Sequence, residues 1–359
     1  MSNAIPPEPH PYPERTVMSI PGRRRGVVIL LLALVAILSG CSSAGASLSP
    51  APSSAASPST AAVSPSPTTA PAFPVTVTDD EGTSIEIAAE PQSIVSLTPA
   101  NAEILFALGA GERVVATDDG SDYPDEAVSL PHVATFSSVD VEKVVALAPD
   151  LVIAGGLGFT PADSITRLRD LDVPVLVVYA PSVDGVYKDI ELIGTATGTS
   201  AAATTLVADM KTDMEAISSA VADQSPKPRV LYEVGYDATT GAIFAPADDS
   251  FVAEMVTLAG ADTITTGDPN TYEISLEALI GKDPQIILLG TNPFYMPTPA
   301  EVAARPGWDA LTAVRNGDVR PVRDIEITRP GPRLPLGLRS LAAGIWPDLA
   351  LPAASPAAS

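Results

Sequence analysis

Two distant stretches of the chain share one pattern. Val139-Asp140-Val141-Glu142 leads through a short helical run to Pro149-Asp150-Leu151-Val152-Ile153, and Ile274-Ser275-Leu276-Glu277 leads to Pro284-Gln285-Ile286-Ile287-Leu288. In each, a glutamate stands seven residues before a proline that opens an apolar strand. Asp140 and Ser275 are residue types that cap helix N-termini, and a glutamate in a first turn suits the helix dipole. Any helix–strand unit gives part of this pattern. Its recurrence at matching offsets points further, to two halves built alike.

The rest of the chain supports such a layout. Alternating residues on either side of Gly82, from Val75 to Ile87, predict a β-hairpin. Short apolar strands follow at Ile94–Leu97, Val114–Ala116, Leu151–Ala154 and Val175–Tyr179. Helical patterns separate them at Asn101–Leu108, Val141–Ala148 and Ser164–Leu171. From Val183 to Val221, Ile190, Ile193, Leu206, Met210, Met214 and Ile217 recur at helical spacing and predict one long helix, with Gly194 and Gly198 as the place for a break. Strands at Val230–Val234 and Ile286–Leu289 then resume, with helices at Phe251–Ala259, Leu276–Ile280 and Leu336–Ile345. Strands separated by helices of this length make parallel sheets with crossover helices.

The N-terminal part reads as an export signal. Arg23-Arg24-Arg25 precedes an apolar run, Val27 to Leu38, and then Leu38-Ser39-Gly40-Cys41. The run is shorter than the roughly 20 apolar residues that a membrane-spanning helix needs. Leu38-Ser39-Gly40-Cys41 resembles a bacterial lipobox, in which the cysteine is lipidated and becomes the mature N-terminus. Met18, which shortens the Pro-rich stretch before the arginines, is the expected start. Residues 42–74 are almost entirely Ala, Ser, Pro and Thr, a composition expected to stay disordered and to serve as a tether. The expected organisation is a signal peptide over 1–41, the tether over 42–74, an α/β lobe over 75–182, an interlobe helix over 183–225, a second α/β lobe over 226–350 and a disordered tail over 351–359.

Composition excludes several functions. The net charge of −23 is the reverse of a nucleic-acid footprint. Cys41 is the only cysteine, so the folded part has no disulfide and no thiol chemistry. His132 is the only histidine after Cys41, which leaves little for nucleophilic catalysis or for a bare transition-metal site. No G-x-S-x-G, P-loop or H-E-x-x-H motif occurs. The chain is therefore expected not to be an enzyme and to hold no cofactor or metal of its own.

The stretches Ile94-Val-Ser-Leu-Thr-Pro-Ala-Asn-Ala-Glu-Ile-Leu-Phe-Ala-Leu-Gly, Gly120-Ser-Asp-Tyr-Pro and Val141-Glu-Lys-Val-Val-Ala-Leu-Ala-Pro-Asp-Leu-Val-Ile-Ala occur in an order and spacing that resemble periplasmic binding proteins for iron chelates, haem and vitamin B12. The resemblance covers about Val75 to Leu349, and vitamin B12-binding members look most similar. It implies two Rossmann-like lobes with parallel sheets, bridged by one long backbone helix. It further implies a monomer, lipid-anchored on the extracytoplasmic face, that delivers a chelate or corrinoid to an ABC permease dimer with its ATPase. A haem-binding lipoprotein of the same fold and a lipid-anchored scaffold or adhesion module are the alternatives.

Residue by residue, the resemblance places permease docking on Glu142 and Glu277, through arginines of the partner. Ligand contacts fall on Thr98, Pro99, Ala100 and Asn101, at a strand end and helix start where open α/β sheets take ligands. Tyr123 and Phe136 match aromatic positions that line the cleft in vitamin B12-binding relatives. Phe136 stands where such a relative carries tryptophan. It serves equally well as ordinary core. In the second lobe Tyr236, Phe244 and Tyr272 are placed to face the cleft. Arg329 is a candidate partner for a ligand carboxylate or phosphate, since its fork suits planar anions. A surface salt bridge is its other reading.

Overall fold

The computed structural model describes residues 73–156, 158–292 and 295–353. The signal segment with Cys41, the tether up to residue 72 and the last six residues lie outside the described residues.

The first half begins with a hairpin, β1 (Val75–Thr78) and β2 (Ser84–Ile87). It continues through β3 (Ile94–Ser96), α1 (Pro99–Ala107), β4 (Val114–Asp118), α2 (Asp125–Val128), β5 (His132–Thr135) and β6 (Ser138–Val139). It closes with α3 (Val141–Ala146), β7 (Leu151–Gly155), α4 (Ala162–Asp170) and β8 (Val175–Val178). Strands β3 to β8 form one sheet in the order β6-β5-β4-β3-β7-β8, parallel except for β6.

Two helices follow, α5 (Val183–Ala196) and α6 (Ser200–Val221). The second half runs β9 (Arg229–Glu233), β10 (Gly235–Tyr236), β11 (Ile243–Phe244), α7 (Phe251–Leu258), β12 (Asp262–Ile264), β13 (Glu273–Ile274) and α8 (Leu276–Lys282). It ends with β14 (Ile286–Thr291), α9 (Pro299–Ala303), α10 (Thr312–Asn316), β15 (Val319–Arg323), α11 (Ile325–Thr328) and α12 (Leu334–Ile345). Its main sheet, β12-β9-β14-β15, is parallel. A small antiparallel sheet, β10-β11-β13, sits beyond the end of β9.

The central strands β3, β7, β9 and β14 are mostly apolar and buried along nearly their whole length because both faces of each sheet are covered. Successive side chains serve different cores. On β3, Ile94 packs among the bridging helices and Val95 on the other face. On β14, Leu288 faces the bridging helices while Ile287 and Leu289 face away. The helix-side core is continuous between the two lobes. It takes Ile104 and Leu105 from the first, Ile190, Met210 and Met214 from the bridge, and Val230, Met255 and Leu338 from the second.

The expected single helix over Val183–Val221 is two. Gly198 takes φ +76°, a left-handed turn that favours glycine, and α6 folds back on α5. A Cβ on Gly194 would lie 2.5 Å from that of Ala203, so only glycine allows this approach. α6, 22 residues long, is the long helix of the bridge and packs between α5 and α12.

A carboxyl pair with one buried member fastens the hairpin. Asp189 on α5 is 5% exposed and shares a hydrogen bond with Asp80, whose Oδ2 accepts from the Tyr179 N–H at 2.5 Å. Burial, and then the neighbouring Asp80 charge, push the Asp189 carboxyl from 3.8 up to about 8. The folded chain thus keeps a proton that the unfolded chain releases above its ordinary pKa. The associated stability is present in acid and is lost as pH rises towards 8, by roughly 1.4 kcal/mol per pH unit at most. Asp189→Asn should flatten this loss. Its melting temperature should gain on wild type steadily between pH 4 and pH 8, whereas parallel profiles would contradict the assignment.

Candidate functional site

Each main sheet presents its strand C-terminal ends with their loops, the edge where open α/β folds take ligands. In the first lobe Thr98 caps α1 without a side-chain hydrogen bond, and Pro99, Ala100 and Asn101 make the first turn. Asn101 is 3% exposed, and its Nδ2 has no partner. Thr98 and Phe159 flank Gly155, each 2.8 Å from where its Cβ would stand. Phe159 stacks on Tyr179 at 6.3 Å and 28°. Phe136 lies in the turn between β5 and β6 and is 61% exposed, so it fills no core.

The second lobe answers with the small sheet. Tyr236 and Phe244 lie on neighbouring strands, and Tyr272 leads into the third, its carbonyl accepting from Ala245 N at 2.8 Å. Tyr272 is 48% exposed, and Met296, beyond β14, is 70% exposed.

Tyr236 has an arginine on its face. The Arg305 guanidinium lies 3.9 Å from the Tyr236 ring centroid and 4.5 Å from that of Trp308. It donates twice to the fully buried Glu233, at 2.5 and 3.0 Å. Tyr295 also donates to Glu233, at 2.6 Å, and burial and that carboxylate hold its phenol pKa above the ordinary value. Sequence reasoning misses this cluster because Glu233 and Arg305 stand far apart in the chain. Phe159, Tyr179 and Met296 are also absent from the sequence-derived set. The position of each just beyond an apolar strand is the signal that finds them.

Arg329 does not face an empty site. Its Nη1 donates to Glu103 on α1 at 3.0 Å and also to Asp122, and its Nη2 donates to the Gly120 carbonyl at 3.1 Å. Arg333 grips the same Glu103 through Nε at 2.9 Å and Nη2 at 2.6 Å. Burial alone would lower both guanidinium pKa values, and the surrounding carboxylates hold them above the ordinary value. Glu103, with its side chain 1% exposed, therefore ties the second lobe to the first. The expected pairing of Arg329 with a ligand anion gives way to this internal ion pair. Arg333 also covers the Tyr123 ring, 4.4 Å from its centroid. Tyr123 lines a cavity of about 540 Å³ with Glu103, Phe106, Pro332 and Arg333. It stands at the lobe junction, in the segment between β4 and α2.

A model of the family described as periplasmic binding proteins matches residues 94–324. The chain belongs to that family. It is 35% identical over 280 residues to the ABC transporter substrate-binding lipoprotein YvrC of Bacillus subtilis, spanning 77% of this chain and 87% of that one. It is 32% identical over 273 residues to a cobalamin-binding protein of Halobacterium salinarum, spanning 73% of this chain and 72% of that one. A solved structure of a possible iron-binding periplasmic solute-binding protein from Staphylococcus epidermidis aligns with a TM-score of 0.62 and 26% identity, over 72% of this chain and all of that one.

The binding protein also carries its repeat on the surface. Asp140 caps α3 by accepting from Lys143 N at 3.1 Å, and Ser275 caps α8 by accepting from Ala278 N at 3.1 Å. Glu142 and Glu277 fall at the same place in the two first turns, both exposed. Among the described residues no group of three or more His, Cys, Asp or Glu is arranged to hold a metal ion.

Glu103→Gln removes the charge that two arginines share. Breaking a buried pair of this kind costs about 3–5 kcal/mol, so urea unfolding should show a loss of that order. A loss below about 1 kcal/mol would mean that the contact behaves as an exposed pair.

Proposed function

We propose that this ABC substrate-binding protein is anchored through a lipidated Cys41 on the extracytoplasmic face and captures a bulky metal chelate of the cobalamin or iron–siderophore kind between its lobes. It delivers that chelate to a permease dimer and its ATPase, with Glu142 and Glu277 as the docking carboxylates. One observation carries the ligand reading. Phe136, Phe159, Tyr272 and Met296 are 48–70% exposed; Phe136, Phe159 and Met296 follow β5, β7 and β14, and Tyr272 ends the loop between β12 and β13. Isolated exposed apolar side chains are common, but a set at the ligand edge of both lobes marks a site. An aromatic side chain buries on the order of 150–250 Å² when fully covered, and these rings, about half exposed, have a large part of that area left for a ligand with flat, apolar faces. The names of the relatives support the same class, through the cobalamin-binding protein of Halobacterium salinarum and the vitamin B12-binding protein of Pectobacterium carotovorum, which is 26% identical.

Fluorescence titration of the purified protein with cyanocobalamin and with ferrioxamine B tests the reading. Saturable binding of at least one is expected. Phe136→Ala and Tyr272→Ala should each weaken it at least about tenfold, with folding stability within about 0.5 kcal/mol of wild type. Failure of both probes to bind would remove the ligand class and bring a scaffold or adhesion role forward.

A further inference from the structure

Among the described residues, the arginines nearest the ligand edge already have carboxylate partners. They are Arg323 at the end of β15, Arg305 after α9, and Arg329 and Arg333 after α11. Each is already paired. Arg305 is held by Glu233, Arg329 and Arg333 by Glu103, and Arg323 by Glu326. The side chains of these three glutamates are 0%, 1% and 4% exposed. Arg305 could not turn to a ligand carboxylate without stripping the buried Glu233 of its arginine, which costs more than the new pair is worth, whereas Glu103 and Glu326 are each shared by two arginines and would keep one. Arg323 is itself 79% exposed, but its departure would leave Glu326 with one contact to Arg333 at 3.5 Å.

The same loops are rich in acid. Asp119 follows β4, Asp122 beside it is taken up by Arg329, and Asp237, Asp268 and Glu273 lie on or beside the small sheet. They belong to a chain of net charge −23, whose field opposes an approaching anion. The buried polar group left without a partner at this edge is neutral, the Asn101 amide.

We infer that the cleft selects chelates of no net negative charge, edged with amides or hydroxamates, and rejects those made anionic by carboxylates or catecholates. This inference rests on the proposed function and narrows it. Haem, with two propionates, falls on the rejected side. Amide-decorated corrinoids and neutral or cationic hydroxamate complexes fall on the accepted side.

Probe pairs of opposite charge class test it. Cyanocobalamin is compared with its derivative in which one peripheral amide is hydrolysed to a carboxylate, and ferrioxamine B is compared with a ferric tricatecholate. Equilibrium titration at low ionic strength should favour the uncharged or cationic member at least about tenfold, and added salt should close part of the gap. Equal or tighter binding of the anionic member would overturn this inference and leave the binding-protein reading intact. Binding of no member would overturn that reading, and this inference with it.

Discussion

The arrangement of the molecule depends on one buried carboxylate. Glu103 on α1 receives Arg329 and Arg333 from the far lobe, and little of it meets water. A lone charge in that position would be strongly unfavourable, so the second lobe must bring both arginines to it. In doing so it fixes the 329–333 segment and lays Arg333 over Tyr123. Behind this clasp, the bridging helices join the lobes through a continuous apolar core. The two attachments are of different kinds and act together. They set the relation between the lobes before any ligand arrives.

The second lobe repeats the device on a smaller scale. Glu233 holds Arg305, and Arg305 lies against the Tyr236 ring. Candidate tyrosines on both lobes thus each carry an arginine whose charge is already matched on one ring face. Rigid rings with internally neutralised supports give a surface that offers shape and apolar area rather than charge. That is the recognition a large, flat chelate with uncharged edges requires.

Much of the fold was legible in the residues. The apolar strands near Ile94, Leu151, Val175 and Ile286 were visible because they are buried on both faces, and their helices because Pro149 and the caps at Asp140 and Ser275 mark their ends. The weaker strands were not. β5, β12 and β15 are edge or near-edge strands with mixed residues, and β6, β10, β11 and β13 are too short to show a period. The break between α5 and α6 was readable from Gly194 and Gly198, though its depth was set by the contact with Ala203. In the site, aromatic residues after strands could be found by position. Arg329 could not be placed, because its partners Glu103 and Asp122 are distant in sequence and only the fold brings them together. Phe136 was open between core and cleft, and its exposure decides against the core.

The most direct test is of whether the lobes are set in the free protein. Spin labels at exposed helical positions, Thr166→Cys on α4 and Ala303→Cys on α9, would report the interlobe distance in a chain carrying Cys41→Ser. Pulsed dipolar spectroscopy should give one narrow population without ligand, shifting by less than about 2 Å with bound chelate, and Glu103→Gln should broaden it. A broad or two-population distribution in the free, otherwise unaltered chain would show that the clasp does not hold the lobes, and would contradict the account.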